Sequence, residues 1–165
     1  MHSTEVAEEP DGLWWTCPKA KTKNSRHEGA TDFRVPLVGR AEQVVRRRLA
    51  DLSGGKGYLF AARSKTGHAT QNGVQSMVHY RQPYSTTEPD VVRERLPVTH
   101  WSPHDLRRTG RTLLASLGCP DDVGEAIIGH MTPGVRGVYN LHRYDAERRV
   151  WLGRLAQRLE EIATG

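Results

Sequence analysis

Residues Trp101–His142 read WSPHDLRRTGRTLLASLGCPDDVGEAIIGHMTPGVRGVYNLH. A proline at a first helical position has no N–H to lose and a φ that is already helical, so Ser102 reads as an N-cap and Pro103 as the start of a helix. Asp105 falls three residues after the cap, where an acidic side chain answers the exposed N–H groups and the positive end of the dipole. Leu106, Leu113, Leu114 and Leu117 recur at helical spacing and are expected to face inward, and Gly118 stands where a C′ glycine ends a helix. Asp121 and Asp122 then open a short helix carrying Val123, Ala126 and Ile127, stopped by Gly129. Past Pro133 and Gly134 the chain runs into Val138-Tyr139-Asn140.

Downstream, a helix from about Asp145 to Ile162 places Arg148, Trp151, Leu155, Leu159 and Ile162 along one stripe. Upstream, Leu13–Cys17 (LWWTC) reads as a strand and Asp32–Leu37 (DFRVPL) as a second, joined through a long basic tip, Pro18–Ala30. Ala41–Leu52 is an amphipathic helix with Ala41, Val45, Leu49 and Leu52 on one face, and Arg46, Arg47 and Arg48 on a side that reads as a solvated basic face or a DNA-backbone contact. Gly54, Gly55 and Gly57 end it. Tyr58–Phe60 is a short apolar segment that could add to the sheet, Thr70–Gln82 is a plausible helix, and Pro83–Pro97 reads as a loop. Met1–Gly12 is acidic and patternless, and is expected to be a disordered lead-in. The fold class expected is α+β, mostly helical, with a small antiparallel hairpin or sheet.

Composition sets the outer limits. A chain of 165 residues, 36% hydrophobic, can bury one core and reads as one domain. No run approaches the length of a membrane span, and the Met-His-Ser-Thr-Glu start lacks a basic region followed by an apolar one, so a cytoplasmic protein is expected. Cys17 and Cys119 form no metal spacing and no disulfide framework. A net charge of +5 and a pI near 9.5 suit a polyanionic partner. There is no H-E-x-x-H, no cysteine cluster, and the GGKG of residues 54–57 lacks Walker spacing, so no metal or small-molecule cofactor is expected.

His104 and Arg107, three apart on the first turn of a helix, share one face and make a ready site for a phosphate. His130 lies just past the second helix, and Tyr139 follows nine residues later. HDLRRT, then GH, then VYN, in this order and spacing, resembles the C-terminal catalytic domain of the tyrosine recombinases, the phage-integrase family. The resemblance implies that fold, and a site-specific recombinase that cuts and rejoins DNA through a 3′-phosphotyrosyl intermediate. Carried over position by position, it makes Tyr139 the nucleophile, gives Arg107 and His130 the phosphate, and has His104 assist proton transfer. A lysine on the hairpin tip would protonate the leaving oxygen; Lys23 matches best, with Lys21 close behind. The partner implied is double-stranded DNA, bound mainly through phosphates, with a homo-oligomer forming on it and the chain associated with the nucleoid when bound. The C-terminal stripe would pack against a neighbouring copy or close its own core.

The resemblance runs from about Leu13 to Ala163 and includes no counterpart of the family's earlier arginine motif or its N-terminal DNA-clamping domain, so residues 13–165 are expected to be a partial, N-terminally truncated catalytic domain. Two other readings stand beside it. Leu106–His130 could be a helix-turn-helix in a DNA binder without catalysis, although Asp121, Asp122 and Glu125 would repel phosphates. The chain could also be a catalytically impaired relative kept for binding.

Overall fold

Leu13-Trp14-Trp15 sets large apolar side chains in succession, a pattern that suits a strand covered on both faces, because neighbouring residues point to opposite sides of a sheet. The computed structural model describes residues 1–22, 25–26, 31–85, 93–130 and 144–165. Among these the fold is α+β, with five α-helices and one small sheet. The sheet has three antiparallel strands in the order β1 (Val6–Glu9), β2 (Gly12–Cys17), β3 (Phe33–Pro36). The helices are α1 (Gly39–Asp51), α2 (Gln71–Tyr80), α3 (Pro103–Ser116), α4 (Asp121–Ile127) and α5 (Asp145–Thr164). The chain divides into two compact units, Met1–Leu59 with Arg111–Gly165, and Phe60–Gly110.

In the first unit, β2 and β3 form the expected hairpin, with Trp14 opposite Pro36 and Cys17 opposite Phe33. On one face of β2, Leu13 is buried with Leu37, Val45 and Leu59, and Trp15 packs against that cluster. Trp14, only 2% exposed, turns to the other face and meets the guanidinium groups of Arg34 (4.4 Å) and Arg149 (4.9 Å), while its indole N–H donates to Asp11 at 2.8 Å. A second cluster joins Leu114, Cys119 and Val123 to Ile127, Trp151 and Leu155, so α5 closes over the end of α3 and α4.

The first twelve residues depart from expectation. They are not a disordered lead-in: β1 pairs along β2 from Val6 opposite Trp15 to Glu9 opposite Gly12. Its carboxylates find arginines distant in sequence. Arg46 of α1 donates two hydrogen bonds to Glu8, at 2.8 and 2.9 Å, and Arg34 reaches Glu9 at 2.6 Å. Arg46 is thus an ion-paired link between helix and sheet. Tyr58–Phe60 adds no strand; Tyr58 makes an isolated bridge to His2. On α5, Trp151 and Leu155 are inward, whereas Leu159 (47%) and Ile162 (54%) are exposed, and Leu159 lines an apolar groove with Leu37, Ala41, Leu152 and Leu155.

In the second unit, the Thr70 hydroxyl accepts from the Gly73 N–H at 3.1 Å and caps α2. Its buried residues are polar. Gln82, 2% exposed, donates through its side-chain amide to the Trp101 carbonyl and accepts from the Trp101 N–H at 3.4 Å. This clamp delivers the chain into α3. Leu106, expected inward, is 62% exposed; the apolar stripe of α3 is covered only in its second half, where Leu114 is 1% exposed.

Candidate functional site

α3 starts at Pro103, and Asp105 does the capping. Its Oδ2 accepts from the Ser102 N–H at 2.9 Å and from the Ser102 hydroxyl at 2.8 Å. These two bonds, with Arg108 adding to them at 3.3 Å, hold the Asp105 carboxyl below its ordinary range. The serine hydroxyl thus donates to the aspartate, the reverse of the capping role expected of it.

The three arginines that follow divide into two kinds. Arg108 pairs with Asp105. Arg111 forks between two carboxylates on α4, Nε to Glu125 at 2.9 Å and Nη2 to Asp121 at 2.8 Å. It is not the surface residue its neighbours suggest: its side chain is 22% exposed and lies against the Cα of Gly124, where any Cβ would stand 3.0 Å from the guanidinium carbon. Arg107, half-buried, makes no hydrogen bond or ion pair among the described residues, and neither does His104, which is exposed. A guanidinium and an imidazole one turn apart, near a helix N-terminus and without a carboxylate of their own, are suited to an anion from outside the chain.

His130 is seated by the backbone. Gly129 adopts φ +64°, its N–H donates to the Ala126 carbonyl at 3.1 Å, and the His130 N–H donates to the Glu125 carbonyl at 3.0 Å. This is a Schellman turn, which needs a residue able to hold a left-handed conformation at C′. Gly118 ends α3 the same way, at φ +85° with Cys119 N–H donating to Leu114 O at 3.0 Å. At Gly129 there is a second demand, because a Cβ would sit 3.0 Å from the Phe33 ring. The imidazole Nδ1 then meets Glu125 Oε2 at 2.7 Å. Glu125 is held ionised below its ordinary range by Arg111 first, against partial burial, and then by His130. Arg111, Glu125 and His130 form one line of charge-assisted hydrogen bonds. An imidazole whose Nδ1–H is given to a carboxylate has Nε2 left for another partner.

Of the two candidate lysines, Lys21 is committed elsewhere. Its ammonium pairs with Glu5, whose hydrogen bond raises the lysine's pKa above the ordinary value. A lysine so stabilised in its charged form is a poorer proton donor to an alkoxide. Lys23 and Tyr139 lie outside the described residues. Both thiols, Cys17 and Cys119, are shifted upward by burial, which keeps them protonated.

The structure therefore brings His104 and Arg107 together on the opening turns of α3, and His130 together with Glu125 and Arg111 at the end of α4. The role of Arg111 carried no sequence signal; only the tertiary pairing with α4 reveals it. Among the described residues, no group of three or more His, Cys, Asp or Glu is placed to hold a metal ion, and no helix is long and apolar enough to cross a membrane. Comparison with protein-family models, with curated proteins and with solved structures finds no match.

Proposed function

We propose that the chain acts on double-stranded DNA as a tyrosine-type strand transferase. The observation that carries this is Arg107 with His104: in a helix whose other arginines each have a carboxylate, this guanidinium and this imidazole have none among the described residues. A phosphodiester is the anion that such donors suit, and attack on it builds further charge on its non-bridging oxygens, where guanidinium and imidazole N–H groups stabilise it.

In this reading the Tyr139 hydroxyl oxygen attacks phosphorus, with His104 assisting transfer of the phenolic proton. The bond from phosphorus to the 5′ oxygen breaks, Lys23 gives that oxygen a proton, and a 3′-phosphotyrosyl ester remains. Attack by a 5′ hydroxyl on the ester reverses the step and joins strands. Arg107 and His130 hold the phosphate, and the Glu125 carboxylate orients His130. The reading extends to a homo-oligomer assembled on DNA, for which the exposed Leu159 and Ile162 of α5 offer a surface to a second copy.

The experiment is a nicked duplex substrate whose cleaved strand cannot be religated, incubated with the chain and resolved on a denaturing gel. A covalent protein–DNA band that disappears in Tyr139→Phe, and falls about a hundredfold or more in Arg107→Ala, is the expected result. Absence of any band while duplex binding persists would replace strand transfer with a binding-only role.

A further inference from the structure

In the second unit, aromatic rings gather on the surface instead of in a core. Tyr80 (40% exposed) ends α2 and Tyr84 (46%) follows one turn later. The imidazole of His100 stacks on Tyr84 with ring centroids 4.6 Å apart and planes 17° from parallel, and His79 meets Tyr84 edge-on at 6.0 Å and Tyr80 at 5.5 Å. Four adjoining rings are thus presented to solvent, where isolated exposed aromatics are the ordinary case.

Two features argue that the arrangement is held in place. His100 has φ +58°, a left-handed conformation that is strained for a non-glycine residue and persists only where the surroundings hold it. The strain is fixed by what surrounds it: the buried Gln82 clamps both backbone groups of Trp101, the next residue. From the other side, Arg95 donates to the carbonyls of Tyr80 at 2.8 Å and Gln82 at 3.1 Å, holding the chain between the two tyrosines. The surroundings are cationic. The Arg93 guanidinium lies 4.7 Å over the Tyr80 ring, and Arg81 is exposed beside it. Residues 60–110 carry seven Lys and Arg against four Asp and Glu, so +3 of the chain's net +5 resides in this unit.

Rings supply stacking faces and guanidiniums supply phosphate contacts, and unpaired nucleic-acid bases on an anionic backbone need both. A paired duplex hides its base faces, and an acidic polypeptide has no use for the rings. We infer that the Tyr80–Tyr84–His100 surface binds single-stranded nucleic acid by stacking on its bases. This goes beyond the strand-transfer reading and does not depend on Tyr139.

The test measures, with the full chain, the affinity for a short labelled single strand of mixed sequence and for an abasic strand of the same length. Tyr84→Ala is expected to weaken binding to the base-bearing strand about fivefold or more and leave abasic binding unchanged, while Tyr84→Phe retains wild-type affinity for both. Tyr80→Ala should repeat the loss, which guards against a fold defect confined to one variant. Tyr139→Phe should bind the single strand like wild type even where it abolishes the covalent band. Unchanged affinity in both alanine variants overturns the inference, as does an equal loss on base-bearing and abasic strands. Displacement of the base-bearing strand by polyglutamate as readily as by unlabelled single strand also overturns it, and assigns the surface to acidic polypeptides.

Discussion

At the scale of single residues, the assignments turn on which charges are already spoken for. Glu5 is the clearest case. Burial works against its ionisation, yet hydrogen bonds from Lys21, the His2 N–H and the Trp15 indole outweigh that and bring its pKa from 4.5 down to about 2. A carboxylate with a depressed folded-state pKa contributes stability that is fully present above its unfolded value and is lost as pH falls through the folded one. Wild-type thermal stability should therefore decline between about pH 4.5 and pH 2. Glu5→Gln should cost about 2 kcal/mol at neutral pH and show a flatter profile through that window, measured by melts at several pH values. A variant that melts like wild type at pH 7 would show that the pairing carries no net stability. The same pair bears on the candidate lysines: the resemblance ranks Lys23 first and Lys21 close behind, and the contact with Glu5 commits Lys21 elsewhere. Spacing from His104 singles out Arg107 on paper, but it does not give the partners of Arg108 and Arg111, which are set by Asp105 on the same helix and by Asp121 and Glu125 on the next.

At the scale of elements, the two Schellman turns lend themselves to a matched comparison. Gly118 and Gly129 both hold positive φ, so an alanine at either costs about 1–2 kcal/mol in backbone strain alone. A Cβ at Gly118 meets nothing within 4 Å, whereas at Gly129 it presses on the Phe33 ring at 3.0 Å. Gly129→Ala should accordingly lower stability in urea melts by more than Gly118→Ala does; equal losses would mean that Phe33 gives way without resistance. Elements with local signatures were legible in advance. Pro103 and Gly118 bracketed α3, the aromatic strand β2 and its partner β3 announced a hairpin, and the periodicities of α1 and α5 fell within a few residues of their bounds. β1 was not legible, because Val6-Ala7-Glu8-Glu9 carries little apolar content of its own and is secured by Arg46 and Arg34, distant in sequence. Leu106 misled for the opposite reason: its spacing fits the α3 stripe, but burial depends on what covers a helix, and only the later part of α3 is covered.

At the scale of the whole molecule, the two units differ in what holds them. The first has two buried apolar clusters, a sheet covered on both faces by Leu13 and Trp14, and ion pairs such as Arg149 with Asp11 at 2.9 Å. The second buries Gln82 and Ser85, while Val74, Met77, Tyr80, Tyr84, Val98 and Leu106 all stay exposed. Apolar burial is the dominant stabilising term in folding, so a unit held mainly by hydrogen bonds around a buried glutamine opens at lower free energy than one with apolar clusters. Amides of α2 should therefore exchange with deuterium well before those of β2 and α1. A ligand that binds only the closed form raises the opening free energy by mass action. If the exposed rings stack on bases, saturating single-stranded nucleic acid should slow exchange in α2 and around Gln82, and leave β2 unchanged. Uniform exchange across both units would show that the polar clamp between Gln82 and Trp101 is worth as much as an apolar core. Early exchange without protection by nucleic acid would mean instead that the exposed surface of this unit waits for a different partner.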